Sequence, residues 1–375
     1  MSLTERLCGI IDSTLREGEQ TPGIRLNREN RRHVIACLHR VGVDEIELGI
    51  SSPSCRNLPR LVADARKITA ESCRLGLWCR CLEDDISFAA LCRPDVLSLS
   101  IPVSDLHITQ RLKKNRDWVR KTITESIGQA LGLDIPYISM GLEDASRADP
   151  EFLLEAASIA QENGAGRVRL ADTVGICSPG AVTNLVALLK NSLKIDIGVH
   201  CHNDFGMATA NSIAALESGA RWIDVTVLGL GERAGNGRLE EVAGYLSLVL
   251  GNRRYHPEHL PQLCRYVSRV TKIPIHGNHP IIGEKIFTCE TGLHQHGLAV
   301  NPATYEPYDP RQVGRERKIR FGHKTGTRAM ALHLARLGFQ LDEKQVRLIT
   351  GRIRSSGRTF SEAQLIKFIN ENIRS

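Results

Sequence analysis

From Cys8 to about Leu250, short β-rich runs alternate with longer helical stretches eight times over. The runs are Cys8–Thr14, Glu45–Ile50, Arg74–Arg80, Val96–Val103, Ile135–Gly141, Arg167–Asp172, Asp196–His202 and Trp222–Leu228. Between them lie stretches with helical apolar spacing, among them Arg28–Arg40, Trp118–Leu131, Glu151–Glu162, Ala181–Leu193 and Met207–Glu217. The repeat of roughly thirty residues is the length of one strand–helix unit, and hairpin turn signals are scarce. Eight such units in roughly 250 residues predict a (β/α)8 TIM barrel. An open doubly wound sheet is the other fold that this alternation allows. It normally carries a glycine fingerprint after its first strand, and Asp12-Ser-Thr-Leu-Arg-Glu-Gly is not one.

A barrel gathers its chemistry where its strands end. Strand one ends in Asp12-Ser-Thr-Leu-Arg-Glu-Gly-Glu-Gln, a density of charge that a structural turn does not need. Strand two carries Glu47, strand three ends at Arg80, and strand five runs into Glu143-Asp144. Strand six ends in Asp172-Thr173, and strand eight leads to Gly231-Glu-Arg-Ala-Gly-Asn-Gly. Strand seven holds Val199-His-Cys-His-Asn-Asp-Phe-Gly. Residues two apart on a strand share a face, so His200 and His202 are expected side by side, half of a divalent-metal site. Each of these residues alone has a plain structural role, as a cap, an arginine partner or a core histidine. Their joint placement at strand ends is what points to a site.

Composition narrows the class. No apolar run approaches the roughly 20 residues needed to cross a bilayer. Met1-Ser-Leu-Thr-Glu-Arg leads straight into the first strand, leaving no room for a signal peptide. The eleven cysteines are scattered without a C-x-x-C pair or a framework spacing, which fits reduced thiols in a cytoplasmic enzyme. A net charge of +7 favours anionic partners. Aromatics make up only 5% and no nucleic-acid-binding motif accompanies the charge, so small polyanionic substrates are expected and nucleic acid is not.

After about Leu250 the alternation stops. A Pro-, Gly- and His-rich stretch leads to Glu290-Thr-Gly-Leu-His-Gln-His-Gly, then to a loop-like Asn301–Arg320. Thr327–Gly338 and Glu343–Ile373 show two or three amphipathic helices. The expected division is a barrel over 1–270, a linker segment over 271–326 and a helical subdomain over 327–375.

Glu17, His200 and His202 offer one hard oxygen and two imidazoles, a set suited to Mg, Mn, Co or Zn with coordination positions left open. A 2-oxo acid chelates at such positions through its ketone and carboxylate oxygens. Arg16, beside Glu17, is placed to stabilise negative charge growing on the ketone oxygen. Asn236, between glycines, is either a neutral further ligand or a turn residue.

Taken together, Asp12–Gln20, Asp172-Thr-Val-Gly, His200-Cys-His-Asn-Asp-Phe-Gly-Met-Ala-Thr-Ala-Asn, Gly229–Glu240 and Gly292-Leu-His-Gln-His-Gly resemble the metal-dependent Claisen-condensing barrel enzymes. That family includes 2-isopropylmalate, citramalate and homocitrate synthases, with lyase and aldolase relatives. Trp78-Cys-Arg-Cys, Pro102-Val-Ser-Asp-Leu-His and Glu143-Asp-Ala-Ser-Arg-Ala-Asp look most like the nitrogen-fixation type of homocitrate synthase. The resemblance implies that Glu17, His200 and His202 hold a divalent metal (Mg, Mn or Zn), with Asn236 near it. It implies that Arg16 polarises the keto acid and Thr173 holds its carboxylate, with Gln20, Glu47, Arg80 and Ser139 also facing substrate. Glu143 is expected by the reacting acetyl group. His294 and Tyr305 match a pair that reaches in from the partner subunit of a homodimer to assist deprotonation of acetyl-CoA. The implied reaction joins acetyl-CoA, 2-oxoglutarate and water to give homocitrate and CoA.

Two departures bear on the substrate. Lysine-pathway homocitrate synthases carry an arginine four residues before the matching glutamate, where this chain has Ser139, and a histidine where it reads Cys81-Leu82-Glu83. The nitrogen-fixation branch lacks both, so the departure points to branch and leaves the distal carboxylate of 2-oxoglutarate without a named partner. A pocket of Ser139, Met140 and Leu142 also suits pyruvate or 2-oxoisovalerate, the substrates of citramalate and 2-isopropylmalate synthases. Carbon–carbon cleavage on the same barrel is the more distant alternative.

Overall fold

The computed structural model of the protein describes residues 9–70 and 72–372. The stretch Met1–Arg6, Cys8 at the head of the expected first strand and Ile373 at the end of the last helical stretch lie outside the described residues. Eight parallel strands close into a barrel: β1 (Gly9–Asp12), β2 (Glu45–Ile50), β3 (Arg74–Arg80), β4 (Val96–Pro102), β5 (Ile138–Glu143), β6 (Arg167–Asp172), β7 (Asp196–Cys201) and β8 (Trp222–Val225). Pairing of β1 with β8, from Gly9↔Trp222 to Asp12↔Val225, completes the ring. The helices that follow the strands are α1 (Arg28–Val41), α2 (Leu58–Thr69), α3 (Glu83–Cys92), α4 (Arg116–Gly132), α5 (Pro150–Glu162), α6 (Pro179–Lys190), α7 (Ala208–Ser218) and α8 (Leu239–Leu248), with α9 (Leu260–Thr271) after them. Their starts are locally encoded. Asn27, Asn115, Asp149 and Ser178 each accept a first-turn backbone N–H, which relieves an orphan donor at the helix entrance.

The expected eight-unit barrel is the fold observed, with shifted edges. β5 begins at Ile138 rather than Ile135, just past Pro136, whose ring nitrogen has no hydrogen to give to a ladder. β8 ends at Val225, and Val227–Gly229 turns as a short 3-10 segment through Leu228 at φ 60°. β7 ends at Cys201, so His202 is not on the strand with His200. It sits one residue beyond, in an isolated antiparallel bridge to Asn236.

The strands divide their side chains sharply. Ile46, Leu48, Leu97, Leu99, Met140, Leu142, Val168, Leu170, Ile223 and Val225 are buried in the apolar core. The alternate positions, facing the barrel axis, are polar or small: Glu45, Glu47, Ser98, Ser139, Gly141, Arg167, Arg169 and Asp224. Arg167 is fully buried and donates Nη2 and Nη1 to Glu45 at 2.8 and 3.2 Å, and Nε to Ser139 Oγ at 3.0 Å. Tyr137 and Trp222 lie beneath the guanidinium, 5.7 and 4.8 Å from its carbon to the ring centroids. One level up, Arg169 Nη1 bridges Glu47 (3.1 Å) and Asp224 (2.8 Å). Burial opposes ionisation here, but the guanidiniums of Arg16 and Arg169 hold the Glu47 carboxyl below its ordinary value.

A second compact unit runs from Ile275 to Ser375, against Met1–Pro274 for the first. It begins with two short parallel strands, β9 (Thr288–Cys289) and β10 (Lys318–Ile319), separated by α10 (Gly292–Val300). Three helices follow: α11 (Thr327–Arg336), α12 (Glu343–Ser355) and α13 (Glu362–Asn372). They enclose a core of Phe321, Met330, Leu334, Ile349, Ile353 and Leu365. Among the described residues, no helix is long and apolar enough to cross a membrane.

Because Glu45 and Arg167 share one fully buried pair, their removal should be non-additive. We expect Arg167→Met to lower the unfolding free energy by about 3–5 kcal/mol, leaving an uncompensated carboxylate. The double change Glu45→Met/Arg167→Met should recover most of that loss in urea denaturation. Additive losses would show that the pair is not the unit of stability.

Candidate metal centre and active site

The site is built from the C-terminal ends of β1, β7 and β8, above the charged barrel interior. After Asp12 the chain wraps around one carbonyl: the amides of Arg16, Glu17 and Gly18 all donate to Ser13 O, at 3.0, 2.7 and 3.2 Å. Asp12 holds the turn by accepting from Thr14 N and Thr14 Oγ1, each at 3.0 Å. Burial pushes the Asp12 carboxyl up to about 8, against the pull of those two hydrogen bonds. The Ser13 hydroxyl donates to Asp224 Oδ1 at 2.5 Å, which pins the turn to β8.

This turn returns Arg16 and Glu17 to the axis. Arg16 Nε donates to Glu47 Oε2 at 2.5 Å, Nη1 pairs with Glu17 Oε2, and Nη2 lies 3.9 Å from Asp224. Burial alone would disfavour the charge on Arg16, but Glu47, Glu17 and Asp224 keep its pKa above the ordinary value. His200 and His202 meet edge to face, with ring centroids 5.0 Å apart at 83° and Nε2 atoms 3.3 Å apart. Glu17 Oε1 is 4.0 Å from His202 Nε2. One ligand atom from each of the three buried residues lies within 4.8 Å of the others. On its far side His200 Nδ1 lies 3.1 Å from Asp224 Oδ2. Burial first, then neighbouring His200, push the His202 imidazole down to about 3, with Arg233 and Arg16 adding to the effect and Asp204 opposing it.

The polar atoms left over at the centre bear on its fit to a cation. Glu17 Oε1 and Asn236 Oδ1 are buried acceptors without a hydrogen-bond donor among the described residues. Asn236 is fixed by Nδ2 donating to Leu230 O at 2.9 Å, which commits its amide nitrogen and leaves the oxygen free. Both side chains pass close to Gly231, where a methyl would stand 2.1 Å from Asn236 Nδ2 and 3.5 Å from Glu17 Cγ. A buried carboxylate oxygen without a donor is costly, and a divalent cation shared with two neutral imidazoles relieves that cost. The residues fit such an ion.

The other expected site residues divide into those the barrel mouth collects and those it does not. Glu47 is fully buried and serves Arg16 and Arg169. Glu143 closes β5, half-buried, accepting from Ser100 Oγ at 2.9 Å and Arg111 Nη2 at 2.5 Å. Thr173 Oγ1 accepts the Asp144 amide at 2.8 Å. Gln20 is half-buried in the short helical turn after Glu17. Ser139 does not open onto the mouth; it lies fully buried, with its hydroxyl committed to Arg167. Arg80 is exposed and donates to Asp85 Oδ2 at 2.6 Å, at the start of α3. His294 and Tyr305 belong to the second unit, where their rings lie 4.2 Å apart. The Tyr305 ring lies against Gly297, where a methyl would stand 2.3 Å from it.

No motif in the sequence marks Asp224, Arg169 or the Glu45–Arg167 pair. The available signal was strict alternation of charged and apolar residues in Glu45-Ile-Glu-Leu and Arg167-Val-Arg-Leu, since buried parallel strands ordinarily read as continuous apolar runs.

Residues 8–267 match the HMGL-like family, and residues 281–359 match the homocitrate synthase post-HMGL domain-like family. Similar curated proteins carry different names. The 2-isopropylmalate synthase 2 of Caldanaerobacter subterraneus subsp. tengcongensis is 37% identical, over 92% of this chain and 89% of its own. A putative (R)-citramalate synthase CimA of Methanosarcina acetivorans is 41% identical, over 92% of this chain and 71% of its own. A homocitrate synthase of Frankia alni is 37% identical, over 87% and 93%. Among solved structures, an HMG-CoA lyase of Bacillus subtilis superposes with a TM-score of 0.65 at 17% identity, over 72% of this chain and 95% of that one, a likeness of fold.

The contact between His200 and Asp224 carries a prediction. A carboxylate behind a ligating imidazole fixes its ring and raises its basicity, so Asp224→Asn should weaken divalent-metal binding by roughly 10–100-fold. Metal titration by calorimetry, on protein with unchanged far-ultraviolet circular dichroism, checks this. An unchanged affinity would remove Asp224 from the centre.

Proposed function

The chain belongs to the HMGL-like family, and from that premise we propose that it is an acyltransferase joining acetyl-CoA to a 2-oxo acid, with 2-oxoglutarate as substrate and homocitrate as product. The observation that carries this reading is the buried Glu17–His200–His202 set beside a charge-locked Arg16, with the Glu17 and Asn236 oxygens left unsatisfied. Glu17, His200 and His202 would hold a divalent cation, with Asn236 adjacent. When bound, such a cation supplies Lewis-acid polarisation of the 2-oxo carbonyl. Arg16, fixed by Glu47 and Glu17, directs its guanidinium at the oxygen on which charge develops and needs no reorganisation to do so. Thr173 and Gln20 border the same mouth and bind the substrate carboxylate.

In the proposed reaction, the acetyl methyl group loses a proton and its carbon forms a bond to C2 of the oxo acid. The C2 oxygen then takes a proton, and water cleaves the thioester to release CoA. Glu143, oriented by Ser100 and Arg111, faces the acetyl group. His294 and Tyr305, already paired within the second unit, assist the deprotonation from the partner subunit of a homodimer. The sequence likeness to the nitrogen-fixation branch supports 2-oxoglutarate.

A second reading keeps the mechanism and changes the oxo acid. The 41% identity to a putative citramalate synthase favours a shorter substrate such as pyruvate. Free-thiol release from acetyl-CoA, measured with 2-oxoglutarate, pyruvate and 2-oxoisovalerate, separates the two. We expect metal-dependent release, abolished by chelator, fastest with 2-oxoglutarate, and lost in Glu17→Gln and His200→Ala proteins that remain folded. Faster release with pyruvate would replace homocitrate by citramalate. No release with any oxo acid would sink the condensation reading.

Sharing of the site between subunits has its own test. Inactive Arg16→Ala and His294→Ala proteins, mixed under conditions of demonstrated subunit exchange, should regain up to about a quarter of wild-type turnover, the share of intact sites expected for a symmetric dimer. Mixtures that stay inactive would place both groups in one chain.

A further inference from the structure

The residue after Glu143 carries more constraint than its turn requires. Asp144 is fully buried, and its backbone is left-handed, at φ 58° and ψ 36°. A residue with a Cβ enters that region at a cost, and it persists only where its surroundings overdetermine it. The ordinary task of an aspartate here is to cap the short 3-10 turn that follows, Ala145–Arg147, yet its carboxylate accepts no backbone amide of that turn. It is spent on side chains instead. The Ser104 hydroxyl donates to Oδ2 at 2.5 Å, and Arg147 Nε donates to Oδ1 and Oδ2 at 2.9 and 3.1 Å. Arg147 Nη2 lies 2.8 Å from Oδ2, and His107 Nε2 lies 3.8 Å from the same oxygen. Ser104 Oγ also accepts the His107 amide at 3.2 Å, which ties the loop after β4 to this one carboxylate.

Two groups flank the anchor. On one side, the left-handed turn ends β5 at Glu143. His107 and Arg111 are the two ends of a single π-helical turn, a rare element that recurs at functional sites. One end meets Asp144 and the other meets Glu143; because Arg147 neutralises Asp144, Arg111 is left to Glu143. On the other side, the Asp144 amide donates to Thr173 Oγ1 at 2.8 Å. A hydroxyl that accepts this bond keeps its own hydrogen for another acceptor, and half-buried Thr173 makes no other side-chain hydrogen bond among the described residues. Resting on the condensation reading above, we infer that Asp144 is a positioning residue for both reactants. Its anchored carboxylate fixes the backbone that aims Glu143 at the acetyl group. The same backbone turns the Thr173 hydroxyl hydrogen toward the carboxylate of the oxo acid. Asp144 itself touches neither substrate.

Four variants of the full chain test this: Asp144→Ala, Asp144→Gly, Asp144→Asn and Ser104→Ala. Each is assayed for CoA release with metal and the preferred oxo acid, and for metal affinity by calorimetry. Asp144→Ala should lower kcat by about 100-fold, the scale of a misplaced reacting group. It should also raise the KM for the oxo acid about tenfold while the KM for acetyl-CoA moves by less than about twofold. Asp144→Gly, which relieves the backbone but has no anchor, should behave like Asp144→Ala. Asp144→Asn, which tolerates the left-handed backbone and keeps an acceptor oxygen, should recover to within about fivefold of wild type. Ser104→Ala removes one anchor and should fall between. Metal affinity should be unchanged throughout, because the ligands lie on other strands. If Asp144→Ala does not fold, the other three variants carry the comparison. Wild-type turnover by Asp144→Gly would make the backbone angle sufficient and overturn the role of the carboxylate. A fall in kcat with both KM values unmoved and no recovery in Asp144→Asn would reduce Asp144 to a structural residue. An active wild type with unaffected variants would sink the assignment alone. No release by wild type with any oxo acid would sink the condensation reading and this assignment with it.

Discussion

The charge ladder inside the barrel is the constraint on which the rest depends. Parallel barrels are ordinarily filled by layers of branched apolar side chains. Here Glu45 faces Arg167, and above them Glu47, Arg169 and Asp224 form a linked second level that ends at Arg16. Each of these ions has lost most of its hydration, a penalty of several kcal/mol per ion that only a well-placed partner offsets. A slip of one residue in β2, β6 or β8 would turn a charge outward against the helices and a leucine, valine or isoleucine inward. Register is therefore specified from both faces of each strand at once.

Position at the mouth is inherited from this interior. Asp224 is the hub: it accepts from Ser13, which fixes the β1 turn, from Arg169, which ties it to β2 through Glu47, and it backs the imidazole of His200. Burial works against its ionisation, yet His200, Arg169 and Arg16 hold its carboxyl well below the usual carboxylate range. Arg16 in turn is held among three carboxylates, those of Glu47, Glu17 and Asp224. A donor held this firmly stabilises developing charge without reorganising, which is the condition under which electrostatic stabilisation is largest. Stability and preorganisation thus have the same residues as their source, and a change made for one is felt in the other.

What could be read from the chain followed the range of the interactions. The eight strand–helix units were legible because their periodicity is local, and so were Arg16, Glu17, His200 and His202, which cluster in two short motifs. The pairs Glu45–Arg167 and Glu47–Arg169 span 122 residues, and no local pattern announces which arginine will face which glutamate. The position of Ser139, four residues before Glu143, suggests that it faces substrate, but its hydroxyl is taken by Arg167, a partner equally distant from any motif. His200 and His202 converge, though not as neighbours along one strand. β7 ends between them, and the second imidazole is aimed by the bridge to Asn236 from the loop after β8. Helix α10 arises within a stretch read as linker because Gly292 and Gly297 weaken its helical signal, while close packing on Gly326 and Tyr305 leaves no room for larger residues.

Charge counting explains why such an interior suits an anionic substrate. The connected groups around the centre are the guanidiniums of Arg16 and Arg169 and the carboxylates of Glu17, Glu47 and Asp224, two positive charges against three negative. Imidazoles that ligate a metal are neutral, so with a cation held there His200 and His202 leave that balance unaltered. A divalent cation turns the excess of one negative charge into an excess of one positive charge. A single carboxylate from the proposed oxo acid would then restore neutrality at a buried centre where a mismatch is costly. Removing Arg16 would undo this balance as well as the hydrogen bonds it makes, so a neutral isostere at that position cannot keep the affinity for an anion. The same balance fixes the role of the arginines in the barrel: Arg16 and Arg169 are each compensated by carboxylates, and they orient.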